Sequence, residues 1–246
     1  MSADPKPLRI AATADLHYTK TSKGNLQRLF TEASKAADVL LLCGDLTDYG
    51  LAEEARVLAE DVKNHATIPV LAVLGNHDYE SGQIGQVTSI LQEAGVKLLD
   101  GECAEVGGVG FAGVCGFGGG FGRRMLNAWG EPLIKAFVQE AVDHAMRLER
   151  ALSRIDAAKR VALLHYAPIP ETVEGESPEL FPFLGSTRLE GPLNRFNVAA
   201  AFHGHAHNGH PEAKTSAHVP VYNVSLPLLR RTQGENVQFR VVKLTP

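Results

Sequence analysis

Val39-Leu40-Leu41-Leu42-Cys43-Gly44-Asp45-Leu46-Thr47-Asp48 is a short apolar run ending in a glycine and a polar cluster. A run of five apolar residues without alternation predicts a strand buried on both faces, as in a sheet covered by helices on each side. The pattern repeats to the left and right. Residues 8–14 are apolar and lead into Asp15-Leu16-His17, and residues 69–74 lead into Gly75-Asn76-His77-Asp78. Between these runs Leu26, Leu29, Phe30, Ala33 and Ala37 recur at helical spacing, as do Leu51, Ala55, Leu58 and Val62. Val87, Ile90, Leu91 and Ala94 mark a third helix, stopped by Gly95, a residue suited to the left-handed position after a helix. Strands separated by helices predict a largely parallel sheet joined by right-handed crossovers.

Further along, residues 96–99, 103–106 and 109–115 read as short strands at tight spacing. A long amphipathic helix is expected over residues 131–155, with Leu133, Phe137, Val138, Ala141, Val142, Ala145, Leu148, Leu152 and Ile155 on its apolar side and Pro132 in its first turn. Residues 161–164 and 198–202 are further buried strands, followed by His165 and by Gly204-His205-Ala206-His207. Residues 219–224 and 237–244 alternate as half-exposed strands do. The whole reads as an α/β layered fold with two packed sheets and outer helices.

The chain has 246 residues, 44% hydrophobic and 21% charged, enough for one large domain, and no composition break divides residues 1–246. Its net charge of -4 argues against a broad nucleic-acid surface, so a nucleic-acid polymer is not the expected partner. Cys43, Cys103 and Cys115 are odd in number and form no Cys-x-x-Cys pair, which fits a reducing compartment. Met1–Pro7 lacks the apolar stretch of a signal peptide, and no apolar run approaches the ~20 residues that span a bilayer. A soluble cytoplasmic protein with no membrane span is the expectation.

Five polar clusters therefore follow five apolar strands. In open α/β sheets the loops beyond the carboxyl ends of parallel strands share one edge, where ligands bind. Asp15 and His17, like His205 and His207, are two residues apart, and in extended backbone such residues point the same way, so each pair could grip one centre. Carboxylate and amide oxygens with imidazole nitrogens suit Mn²⁺, Fe²⁺/Fe³⁺ or Zn²⁺, and no cysteine among the donors suggests a thiolate zinc site. Two carboxylates cannot balance two divalent cations, so such a site would keep positive charge and attract a phosphate.

The order Asp-x-His, Gly-Asp, Gly-Asn-His-Asp, His, Gly-His-x-His resembles the calcineurin-like metallophosphoesterase superfamily over roughly residues 8–210. Each pair alone is common loop chemistry; the ordered set of five is not. The resemblance implies a four-layer α/β/β/α fold, a two-sheet β-sandwich flanked by helices. It implies a dinuclear site in which Asp15, His17 and His207 hold one metal, Asn76, His165 and His205 hold the other, and Asp45 bridges. His77 would face the leaving-group oxygen as the catalytic proton donor, with Asp78 orienting it. The implied reaction is direct in-line attack on phosphorus by a metal-bridging hydroxide. The retained histidine of the Asn-His-Asp block resembles the diesterase branches, including those acting on cyclic nucleotides, so the expected substrate is a small phosphodiester. A phosphomonoesterase, a nuclease of the same fold and a non-catalytic protein-interaction scaffold are the alternatives.

Asp48 has two readings, a hydrogen-bonding partner of the metal site or the cap of the helix near Leu51. His203 reads as structural, His210 as exposed, and His65, His144 and His218 as bystanders. Residues 116–122, rich in glycine, read as a flexible connection, or as a mobile rim with Phe121 stacking on a ring and Arg123 or Arg124 meeting phosphate. Residues 166–191 read as a loop that walls the substrate pocket, its Glu171, Glu174, Glu176 and Glu179 disfavouring long polyanions.

Overall fold

The computed structural model describes residues 6–245; most of the leading segment read above, residues 1–5, and residue 246 lie outside it. The chain runs β1 (Leu8–Thr13), α1 (Gln27–Ala36), β2 (Val39–Cys43), α2 (Ala52–His65), β3 (Val70–Val73), the one-turn α3 (Asn76–Tyr79), α4 (Ile84–Glu93) and β4 (Val96–Leu98). Then come β5 (Glu102–Val106), β6 (Val109–Gly113), α5 (Pro132–Ser153), β7 (Lys159–Leu163), α6 (Phe181–Leu184) and α7 (Glu190–Arg195). It ends in β8 (Ala200–His203), β9 (Glu212–Lys214), β10 (Pro220–Asn223), α8 (Leu226–Gln233) and β11 (Arg240–Leu244).

Two sheets form. One has the order β11-β1-β2-β3-β4, parallel except for β11, which adds antiparallel to β1. The other has the order β5-β6-β7-β8-β10-β9, parallel from β6 to β10 with antiparallel edges. The apolar run of β2 explains the layering. Leu40 and Leu42 pack with Leu29, Phe30, Leu58 and Leu91 of the outer helices. Val39, Leu41 and Cys43 face the other way, onto Phe111, Val161, Leu163 and Phe202 of the second sheet. Beyond that sheet Ala112, Ala162 and Ala201 meet Leu148 and Leu152 of α5. Each fully buried leucine contributes about 1.5–3 kcal/mol, and β2 buries leucine on both faces only because both faces are covered. The expected helix/sheet/sheet/helix arrangement is the one observed.

Several local readings need correction. The apolar side of α5 is buried only from Val138 onward; Leu133 in its first turn is 83% exposed. Residues 166–191 are not one loop. They hold α6, the start of α7 and 3₁₀ turns at Pro170–Thr172, Pro178–Leu180 and Thr187–Leu189. Their prolines hid this, yet proline is at home in a first helical turn, where no N–H is needed. α8 and β9 also escaped the sequence reading. The glycine-rich segment is not a flexible connection. Gly119 N–H donates to Pro182 O, Gly120 N–H to Gly185 O at 2.9 Å, and Leu126 N–H back to Gly119 O at 2.7 Å, so the segment is pinned against α6.

Two buried polar groups set conditions for the site. Tyr18 donates its hydroxyl to Asp61 at 2.9 Å, tying the loop after β1 to α2. His144, read as a bystander, is buried on α5 and accepts the Gly116 N–H at Nδ1, 3.2 Å away. Its other nitrogen faces Glu140 at 3.1 Å. Burial, aided by the charge of Arg147, pushes the His144 pKa down to about 4. A base with a depressed folded pKa binds fewer protons folded than unfolded, so its stability contribution is full above about pH 6.5 and is lost as pH falls towards 4. We expect about 2–3 kcal/mol of acid destabilisation from this group, and His144→Gln should flatten the dependence of urea midpoints on pH between 7 and 4.

Candidate metal centre

Each donor cluster leaves the carboxyl end of a parallel strand: Asp15 after β1, Asp45 after β2, Asn76 after β3, His165 after β7 and His205 after β8. Both sheets therefore deliver donors to one edge. The local backbone is not the extended one expected. Asp15, His17, Asp45 and His205 have φ of 58°, 45°, 49° and 68°; among the described non-glycine residues only Asn197 and His218 share this left-handed region. Such conformations cost about 1–2 kcal/mol each and persist where the surroundings over-determine them. The kinks fold Asp15 and His17 onto one centre. They send His205 and His207 to different ones, so the two-residue spacing does not make that histidine pair grip a single centre.

Donor atoms of Asp15, His17 and His207 lie within 4.8 Å of one another, as do those of Asp45, His165 and His205. His17, Asp45 and His77 form a third such group. Asp45 connects them: Oδ1 is 3.4 Å from His165 Nε2, and Oδ2 is 4.0 Å from His17 Nε2. Asn76 Oδ1 is 2.9 Å from His165 Nε2. His207 Nε2 is 3.3 Å from Asp15 Oδ1. All seven residues named as ligands in the sequence are thus gathered. The set fits divalent metal ions on an independent observation as well. Both ring nitrogens of His17 are buried with no hydrogen-bond partner among the described residues, an arrangement that costs free energy unless a cation completes it. Asp48 lies 3.2 Å from His17 Nδ1 without hydrogen-bond geometry, and it does not cap α2, which begins after Leu51.

Backbone groups set the histidine tautomers. His165 Nδ1–H donates to Cys43 O at 3.0 Å, aiming Nε2 at Asn76 and Asp45. His205 Nε2–H donates to Phe183 O at 3.1 Å, leaving Nδ1 to the centre. Fixing one ring nitrogen in this way is how proteins orient metal-binding imidazoles. Charge follows the same logic. Burial acts to lower the His165 pKa, but Asp45 and Asp15 overcome it and raise it to about 9. Burial also acts to raise Asp15 and Asp45, but the neighbouring histidines hold both below the usual carboxylate range. Loss of solvent around half-buried His205, and the neighbouring His165, push its pKa down to about 4, ready to offer a lone pair. His207 is raised by its hydrogen bond to Asp15.

The motif glycines are spacers. A Cβ at Gly75 would collide with Asp45 Oδ1 and lie 2.8 Å from His165 Cε1. Gly44, at φ 88°, passes so close that a Cβ would sit 2.7 Å from His165 Cβ. Gly75→Ala should therefore displace Asp45 or His165. Expected are a loss of about 1–3 kcal/mol in stability and a clear fall in bound metal, checked by denaturant midpoint and elemental analysis.

Other expected roles change. Asp78 does not orient His77. Its carboxylate is fully buried and accepts from Thr47 Oγ1 at 2.6 Å, Thr47 N–H at 2.8 Å, Gly75 N–H at 2.8 Å and Leu46 N–H at 3.2 Å. It thereby holds the Asp45 loop against the start of α3. Burial and the charge of Asp45 raise its pKa all the same. His77 is held instead by Asp48, whose backbone carbonyl accepts from its Nδ1–H at 2.7 Å, and its ring meets His17 edge-on at 4.6 Å. His203 is structural, donating to Gly204 O and accepting from Thr172 Oγ1, both at 2.8 Å. His210 is exposed, as are Arg123 and Arg124. Phe121 packs on Phe181, and the ring that borders Asn76 and His205 from the glycine-rich segment is Phe117. Tyr166, one residue past His165, sets its ring tilted against that of His205, centroids 4.5 Å apart; that adjacency was the available signal in the sequence.

Comparison with known proteins bears on the family and the fold. Proteins named uncharacterized metallophosphoesterase from two strains of Helicobacter pylori are 25% identical over 165 residues, 66% of this chain and 39% of theirs. The chain thus spans well under half the length of these curated relatives. A phosphopantetheinyl hydrolase of Mycobacterium tuberculosis superposes with a TM-score of 0.68 at 16% identity, covering 98% of this chain and 97% of that one. The protein TT1561 of Thermus thermophilus gives 0.58 at 16% identity, with 97% and 99% covered. GAP50, the anchor in the inner membrane complex of Plasmodium, gives 0.57 at 13% identity, with 98% and 78% covered. These structural likenesses bear on the fold. The calcineurin-like phosphoesterase family model matches residues 8–209, the span that carries all five donor clusters, and the chain belongs to that family.

Proposed function

We propose that residues 1–246 form a single-domain dinuclear phosphoester hydrolase acting on a small phosphodiester. The observation that carries this reading is Asp45, whose two oxygens face two separate histidine-rich donor groups. Asp15, His17 and His207 would hold one cation, Asn76, His165 and His205 the other, with Asp45 between them; Mn²⁺, Fe²⁺/Fe³⁺ and Zn²⁺ suit these donors. Bound there, two such cations would neutralise phosphoryl oxygens and acidify a water at the centre.

The chain's own residues would do the rest. His77, with Nδ1–H committed to the Asp48 carbonyl, presents Nε2 to the departing oxygen as its proton donor. Asp78 keeps the Asp45 loop rigid, so that Asp45 need not reorganise during turnover. Cys43 O and Phe183 O keep the rings of His165 and His205 aimed. A diester is favoured over a monoester because the resemblance of the Asn-His-Asp block points that way, and because the groove beside Asn76 has room for a second organic group. A cytoplasmic setting suits the three unpaired cysteines; among the described residues no helix is long and apolar enough to cross a membrane.

Turnover of bis-(p-nitrophenyl) phosphate should exceed that of p-nitrophenyl phosphate when Mn²⁺ is supplied. The reverse preference would mean a monoesterase. No turnover of either by metal-loaded protein would remove the hydrolase reading. A non-catalytic protein-interaction scaffold would be favoured by less than about one metal per chain after purification with metal supplied.

A further inference from the structure

The donor residues account for a phosphoryl group and leave the substrate's organic part without a place. Beside Asn76 and His205 the centre opens into a cavity of about 210 Å³ walled by Phe117, Phe137, Tyr166 and Phe183. The rings stand close to one another around it. Tyr166 is 4.5 Å from His205, Phe117 is 5.9 Å from Tyr166 and 4.8 Å from Phe137, and Phe137 is 6.4 Å from Phe183. They come from the glycine-rich segment, α5, the residue after His165 and α6, all distant in sequence. Phe117 and Phe137 are only half-buried and Phe183 is 59% exposed, so ring surface is left open towards the cleft.

The cleft continues. A second cavity, of about 390 Å³, shares Asn76, Phe117 and Tyr166 with the first and extends past Arg147 to Tyr79. A third, of about 380 Å³, shares Tyr79 and is lined by Leu74, Ile84 and Leu98. Among the described residues, the one Lys or Arg on this path is already paired. Arg147 is 3.2 Å from Asp100 and 3.4 Å from Glu140, so it offers no free charge to a second phosphate. The groove is mainly apolar and elongated, and its carboxylates, Asp100, Glu140 and Glu102, outnumber Arg147, unlike a track for a polyanion.

We infer that this groove binds the organic group of the substrate, and that this group carries no negative charge, is elongated and has a flat ring within stacking reach of Phe117 and Tyr166. The inference rests on the hydrolase reading above, which puts the phosphoryl group at the metal centre. Offset or edge-on ring pairs contribute beyond simple burial, and a straight alkyl chain of equal size would forgo that part.

The test is calorimetric titration of the Mn²⁺-loaded protein with methylphosphonate, hexylphosphonate and phenylphosphonate. Phenylphosphonate should bind about tenfold tighter than methylphosphonate and tighter than hexylphosphonate. Phe117→Ala should collapse the phenyl-to-methyl ratio towards one. Phe183→Ala, a change at an exposed side chain that folding can spare, should reduce the same ratio. Equal affinity for phenyl- and methylphosphonate, a hexyl chain that matches the ring, or a ratio that survives both substitutions would overturn the inference and leave the hydrolase reading standing. Methylphosphonate that fails to bind metal-loaded protein would overturn both.

Discussion

Asp45→Ala should purify with less than about one metal per chain and turn over no diester, while remaining folded. The expectation follows from where Asp45 sits. Its oxygens lie between His165 and His17, and Oδ1 also accepts the His77 N–H at 2.9 Å. Removing it takes a carboxylate from both donor groups at once, and histidines with one remaining carboxylate, Asp15, cannot hold two divalent ions against water. The fold should survive for an electrostatic reason. Three buried carboxylates, Asp15, Asp45 and Asp78, crowd one loop cluster, and the charge of Asp45 is one of the things that raises Asp78. Losing it relieves that repulsion. Asp45→Asn separates shape from charge, since its amide oxygen can still accept from His77 N–H; it should retain at most one metal. Elemental analysis with circular dichroism checks both variants, and an Asp45→Ala protein that keeps two metals would remove the bridging role.

His77→Ala should keep its metals and lose about 10²–10⁴-fold in turnover of a diester with an alkyl leaving group. The backbone N–H that holds Asp45 survives this substitution, so the proposed metal ligands keep their support. What disappears is an imidazole aimed by the Asp48 carbonyl, standing 4.6 Å from His17. The loss should be smaller with bis-(p-nitrophenyl) phosphate, because p-nitrophenolate departs without needing a proton. This leaving-group dependence is the diagnostic measurement. A uniform loss across leaving groups, or loss of metal, would make His77 a ligand or a prop and would end its assignment as a proton donor; its place in a donor group with His17 and Asp45 makes that a real contest.

Much of the architecture was written in local periodicity. Leu40-Leu41-Leu42 could be buried on both faces only in a covered sheet, and that is where β2 lies. The five polar clusters after five apolar runs marked the functional edge, because parallel strands end on the same side. Element ends blurred where proline starts short helices, as in α6 and α8, and where an amphipathic pattern continued into a solvent-facing turn, as at Leu133.

The sequence by itself determined the layers, the edge and the donor inventory, since burial and residue type are properties of each stretch taken alone. Only the tertiary structure decided which donors share a centre. His205 and His207 part company through a left-handed kink, His165 finds Cys43 across 122 residues, and Asp78 turns from its neighbour His77 to clamp a loop some thirty residues earlier. It also decided that Phe117 rather than Phe121 borders the centre. These outcomes depend on the approach of distant backbones and on strained φ values held in place by packing, neither of which leaves a period in the sequence.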